Sequence, residues 1–251
     1  MMNEQVVPAG FDVTFLRWLR ERTQQAWANY RTRPFSAYEA AGVGGRDWKQ
    51  GSRWSPGLSH AQIDQVETEW SVRFPPDYRL FLNELHSIDR PMSGAKFVDG
   101  NKLVPRKEPS FYNWLTDKDS LQWAFQWPLK GLRFDVERND LWLPSWGEKP
   151  EAIDERKRRL QDLVDRAPRL IPVFGSAYLL AEPCQEGNPV FDVWQDDITL
   201  AGPNLRQYLL TELSDLVGID RARIDAEGVK ESTRRFEEIP FWGELYIRNN
   251  D

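Results

Sequence analysis

The stretch that most constrains this chain runs from Pro168 to Leu213, where short apolar runs alternate with turn residues and close on a helical pattern. Leu170 to Phe174 is an apolar run between Pro168 and Gly175, the size of a buried strand. Tyr178 to Ala181 is a second. Gly187-Asn188-Pro189 marks a turn, because Gly and Asn tolerate left-handed backbone and Pro fixes φ. Val190 to Gln195 and Ile198 to Ala201 follow as β-rich runs. Beyond Gly202-Pro203, residues Leu205, Tyr208, Leu209, Leu213 and Leu216 recur at helical spacing. The local pattern is a small sheet packed against a helix.

Upstream, Asp12 is placed to cap a helix reaching about Tyr30, with Leu16, Leu19, Thr23, Ala26 and Tyr30 on one stripe. From Pro34 to Pro56 four glycines stand among aromatics. This segment reads as an irregular arm laid over the domain, since Trp48 and Trp54 need somewhere to bury. Ser59-His60-Ala61-Gln62 is a capping box with Leu58 and Ile63 as its hydrophobic staple. Pro75-Pro76 then opens a second helix through Tyr78, Phe81, Leu82 and Leu85. Residues 92–112 are hairpin-like, and a short Trp-rich helix capped by Asp117 or Asp119 is expected to end at Pro128. Gly131 to Glu137 alternates apolar and polar residues, which predicts a half-buried strand. Asn139-Asp140 would turn it back onto Leu141-Trp142-Leu143. The expected fold is α+β: a mixed, largely antiparallel sheet from residues 131–143 and 170–201, with helices at 59–71, 77–87, 150–166 and 204–213.

Hydrophobic content of 40% with 29% charged residues is ordinary for a soluble globular protein. No apolar run approaches the roughly 18–20 residues of a membrane helix, and no secretory signal is visible at the N-terminus. One cysteine, Cys184, cannot form an internal disulfide, so a cytoplasmic protein is expected. A net charge of −6 argues against general nucleic-acid binding, which needs a basic face. Residues 212–251 hold ten acidic against six basic side chains and read as an acidic extension. The chain holds twelve tryptophans, and most are expected in the core.

Catalytic patterns are weak. Neither His60 nor His86 lies beside Cys184 or a plausible serine nucleophile in sequence. Phe174-Gly175-Ser176-Ala177-Tyr178 lacks the second glycine of a nucleophile elbow. Cys184 reads as a small buried or half-buried residue. Gly42-Val43-Gly44-Gly45 has no phosphate-loop spacing, and zinc ligands at usable spacing are missing. Asp192, Asp196 and Asp197 miss the calcium-loop spacing, so no metal or cofactor is expected. Asp135 and Glu137, at i and i+2 on the expected strand, would lie about 7 Å apart on one face. That separation occurs in glycosidases, though a solvated sheet face also accounts for it. In the Val190–Asp197 segment a period of two puts Phe191, Val193 and Gln195 on one face and Asp192, Trp194 and Asp196 on the other. Two carboxylates flanking an indole suit a cationic partner. The same alternation also describes a solvated face, or Trp194 buried under a helix with the acids at its rim.

Several segments in order, "LSHAQIDQVETEWSVRFPPDYRLFLNELH", "WPLKGLRFDVERNDLW", "WGEKP" and "LIPVFG…Y…GNPVFDVWQDDI", resemble the SUKH superfamily of Smi/Knr-like proteins. The resemblance covers roughly residues 58–213. It leaves residues 1–57 as a helix and aromatic arm packed on the core, and 214–251 as the acidic extension. It implies a non-enzymatic protein-binding module, above all an immunity protein that neutralises a bacterial toxin such as a basic nuclease. A regulatory scaffold of the same family is the alternative within that class. A glycan- or small-ligand-binding protein, or an enzyme with a Trp- and carboxylate-lined cleft, is the alternative outside it. Asp197 has a counterpart in the family pattern, whereas Asp192 and Asp196 depart from small hydroxyl residues toward acid. The partner-binding residues expected are therefore Asp192, Trp194, Asp196, Asp197, Asp135 and Glu137.

Overall fold

The computed structural model describes residues 7–220, 224 and 235–250. The fold is α+β, with two antiparallel sheets among the described residues. Helix α1 (Val13–Ala28) is capped as its sequence demands: the Asp12 carboxylate accepts from the Phe15 N–H at 2.9 Å. The segment expected to be irregular instead forms a short helix, α2 (Phe35–Ala41), closed by Gly42 at φ +63°, and a strand, β1 (Gly45–Asp47). Trp48 and Trp54 are buried, as their aromatic context required. Helices α3 (His60–Trp70) and α4 (Pro76–Glu84) follow, and the Ser59–Gln62 capping box is complete in both directions. The hairpin β2 (Met92–Val98) and β3 (Lys102–Glu108) joins β1 in the order β1-β2-β3.

The second sheet is a meander of β4 (Leu170–Phe174), β5 (Ala177–Leu180), β6 (Val190–Trp194) and β7 (Asp197–Gly202), paired in chain order. The two sides of this sheet face two different cores. Ile171, Val173, Leu179 and Val190 pack into one cluster with α1, α3 and α4. Leu170, Tyr178, Leu180, Phe191 and Val193 pack into the other. That is why β4 and β5 are buried along their whole length.

Residues 131–137 are not a strand. They are the C-terminal third of one long helix, α5 (Lys118–Arg138), which passes through Pro128. Its buried positions include Leu121, Ala124, Pro128, Leu132 and Val136, a helical stripe. Phe134, which the alternation placed with Leu132 and Val136, is half exposed because a helix turns it to the opposite side. The proline is accommodated by a side chain from the sheet. Pro128 has no N–H to give the Ala124 carbonyl, and the Tyr178 hydroxyl donates to that carbonyl at 2.8 Å instead. Gly131 lets the helix sit against the β6–β7 turn, since a Cβ there would lie 2.8 Å from the Gln195 Cα. With the helix in place, Leu141-Trp142-Leu143 has no strand to pair with. It runs as a loop into a 3₁₀ turn at Pro144–Trp146, burying Leu141 and Leu143.

Helix α6 (Ile153–Arg166) lies along α5, and α7 (Leu205–Glu212) and α8 (Ser214–Val217) follow the meander. After a 3₁₀ turn at Phe236–Glu238, helix α9 (Trp242–Asn250) packs back on β7. Ile239, Trp242 and Leu245 complete the second core, so this part of the acidic C-terminal region is structural. Among the described residues no helix is long and apolar enough to cross a membrane.

Candidate functional site

Where α5 and the end of β6 face the three-stranded sheet, an open cleft of 540 Å³ forms. Its α5–β6 side is aromatic. Trp123 and Trp127 stand at i and i+4 on α5, with ring centroids 4.9 Å apart and planes at 22°. Trp194, the last residue of β6, lies 5.0 Å from Trp127 at 54°. The Trp127 Nε1–H donates to the Val193 carbonyl at 3.1 Å, which pins the middle indole between helix and strand. The outer two remain open, Trp123 at 49% and Trp194 at 59% exposure. Indoles held in a row with open faces offer apolar area that solvent covers poorly.

The opposite side comes from β1 and β3 and is basic: Arg46, Arg106 and Lys107, with Glu108. Arg106 pairs with Glu108. Among the described residues neither Arg46 nor Lys107 is ion-paired. The Arg46 guanidinium lies over the Phe174 ring, 4.6 Å from its centroid. Gly175, at φ +58°, makes room for it, because a Cβ there would come 2.5 Å from Arg46 Nη1. Tyr112 completes the lining and donates from its hydroxyl to the Gly175 carbonyl at 3.3 Å. Its phenol is pushed up to about 12, chiefly by burial and further by Glu108, so it keeps its proton at neutral pH. Among the described residues the lining contains neither histidine nor cysteine.

The structure does not bring the six expected site residues together. Asp192 and Trp194 share an exposed face of β6, as the alternation predicted, and Trp194 enters the cleft. Asp196 does not share that face. The strand ends at Trp194, Gln195 turns at φ +60°, and Trp194 pairs across the turn with Asp197. Asp196 therefore faces α9, where Arg248 Nη1 donates to its carboxylate at 2.6 Å. Asp197 opens β7 and is exposed. Asp135 is fully buried and accepts from the Asp196 backbone N–H at 2.9 Å and from Asn139 Nδ2 at 2.6 Å. Burial holds its carboxyl above the usual range against those hydrogen bonds. Glu137 points to α6 and pairs with Lys157 at 2.6 Å. The expected Asp135–Glu137 pair is thus broken, because two residues apart on a helix places side chains on nearly opposite sides.

The remaining chemical candidates are placed as follows. His60 is exposed at the start of α3. His86 is buried, with Nε2 accepting from the Trp114 N–H at 3.1 Å. Cys184 is exposed rather than buried, its Sγ 3.5 Å from the Phe74 carbonyl. Among the described residues no group of three His, Cys, Asp or Glu is arranged to hold a metal. The tryptophan spacing on α5 was visible in the sequence as an i, i+4 pair. Nothing in the sequence joins those indoles to Arg46 or Lys107, which come from other elements. Comparison with family models, curated proteins and solved structures returns no match.

Proposed function

We propose that this chain is a non-enzymatic protein-binding module and that the tryptophan cleft is its docking surface. The observation that carries this reading is the row of three contacting indoles, two of them about half exposed or more, facing a wall of charged side chains. Binding surfaces are enriched in Trp and Arg because both bury much area for few rotatable bonds or fix geometry through planar groups. The SUKH resemblance points to the immunity type, with a toxin as partner, and a net charge of −6 would speed encounter with a basic one. The Asp135–Glu137 pair on which a glycosidase reading rested lies outside the cleft. The cleft's carboxylates are Asp119, on the indole side, and Glu108, already paired with Arg106.

The test compares affinity capture by the full-length protein with capture by the folded Trp123→Ala/Trp194→Ala variant, identifying retained proteins by mass spectrometry. A partner retained by the first and lost by the second supports the reading. Identical captured sets would remove the cleft from the interface. Reproducible hydrolase turnover abolished by changing Asp119 alone would overturn the non-enzymatic assignment. A toxin gene beside that of this protein, with toxicity relieved on co-expression, would separate immunity from a scaffold role.

A further inference from the structure

The cleft's two sides differ in kind, and that difference bears on what the partner presents. The α5–β6 side offers flat apolar faces at Trp123 and Trp194, with Asp119 one turn before Trp123. The β1–β3 side carries three cations and one carboxylate, the reverse of the protein's overall charge. Arg106 is ion-paired with Glu108 there, which leaves Arg46 and Lys107, among the described residues, as the unpaired cations of the lining. Arg46 is held in place without an acid. Phe174 supports its guanidinium plane and Gly175 leaves space beside Nη1, so its N–H groups remain available in a fixed orientation. A cationic segment, which the Asp192–Trp194–Asp196 pattern suggested, would meet this wall with like charge. One of the acids meant to receive it, Asp196, is instead paired with Arg248.

We infer that the cleft takes an extended polypeptide segment of the partner in which a carboxylate side chain stands next to a flat apolar residue, proline or aromatic. The carboxylate is held by Arg46 and Lys107, and the flat group lies against Trp123 and Trp194. This rests on the protein-binding reading above and adds the chemistry of the bound segment. Aromatic-lined grooves receive prolines and rings because the bound conformation is already extended and costs little ordering. A continuous phosphate backbone fits poorly. Asp119 in the lining and Asp192 beside Trp194 would repel it, whereas a peptide can alternate its charges.

The test is selection of a random peptide library against the full-length protein, followed by titration of the enriched peptides using tryptophan fluorescence. The expected peptides carry Asp or Glu within two positions of Pro, Trp, Tyr or Phe. Their affinity should fall about tenfold or more in Arg46→Gln/Lys107→Gln, with circular dichroism unchanged, and should weaken as salt rises. Enrichment of Lys- and Arg-rich peptides lacking acids would overturn the inference while leaving the cleft as a protein site. Peptides that bind Trp123→Ala/Trp194→Ala as tightly as the parent would overturn both. Absence of any enriched peptide, with fluorescence responding instead to an oligouronate, would show that the cleft serves an acidic glycan, and the polypeptide assignment would fall.

Discussion

His86 follows the end of α4 at φ +64°, a conformation that costs a non-glycine residue roughly 1 kcal/mol or more. Its buried ring hydrogen bond helps explain why it is tolerated. Nε2 accepts from the Trp114 N–H, so the imidazole ties the end of α4 to the loop before α5 within the first core. Burial lowers its pKa to about 4 from 6.5. An unfolded chain therefore binds a proton below pH 6.5 that the folded protein refuses. Stability should fall as pH drops from about 6.5 toward 4 and then level, by on the order of 3 kcal/mol in full. Asp77 and Asp135, both raised by burial, act in the opposite sense in the carboxylate range, so a variant is needed to isolate the histidine. Urea midpoints measured at pH 7, 6 and 5 should decline more steeply for the parent than for His86→Gln. Parallel curves would show that the ring is protonated equally in both states.

At the scale of elements, α5 shows how a local signal can be read correctly and still mislead. Proline inside a helix removes one hydrogen bond and costs about 3 kcal/mol or more when nothing compensates. Here the orphaned Ala124 carbonyl is deep in the protein, and the Tyr178 hydroxyl reaches it from β5. Tyr178→Phe should cost about 1–3 kcal/mol, the penalty for an unsatisfied buried acceptor. Pro128→Ala restores an N–H to the same carbonyl, so in that background Tyr178→Phe should cost clearly less. Denaturation of the four proteins in this cycle measures the difference. Equal costs in both backgrounds would mean that the hydroxyl does not substitute for the missing helical bond. Residues 131–137 were ambiguous for a related reason. Alternation over seven residues also fits one helical face at positions 132 and 136, and Phe134 and Asp135 distinguish the two. Phe134 is half exposed and Asp135 is fully buried, an outcome that no hydrophobic pattern anticipates.

For the whole molecule, the central meander is stable only because both its sides are covered. The second core is closed by residues from the far end of the chain: Ile239, Trp242 and Leu245 are buried against it. The Trp242 Nε1–H donates to the Pro168 carbonyl at 2.7 Å, just before β4 begins. Trp242→Ala should therefore cost about 3–5 kcal/mol, the range for removing a buried aromatic. A urea titration showing a loss below 1 kcal/mol would mean that α9 is peripheral to the fold. The C-terminal region is acidic by composition, yet α9 buries Trp242 and Leu245, while its Arg248 pairs with Asp196 and its Glu244 accepts from the Ser145 hydroxyl.

Where the backbone's own requirements decided the outcome, the sequence sufficed. Asp12 and Ser59 cap helices, Pro76 starts one, and Gly175 and Gly187 turn the meander, because each satisfies a backbone donor or supplies a dihedral within a few residues. The α+β class and the Asp192–Trp194 face followed from the same local rules. Partners distant in the chain decided the rest. Pro128 continues a helix because Tyr178 meets it, Asp196 leaves the expected face because the strand ends in a tight turn at Gln195 and it then meets Arg248 of α9, and Arg46 faces Trp123 because a short strand joins a hairpin near α5. None of these is encoded at a fixed spacing, since burial and pairing free energies depend on which surfaces meet, and that is settled only when the chain closes on itself.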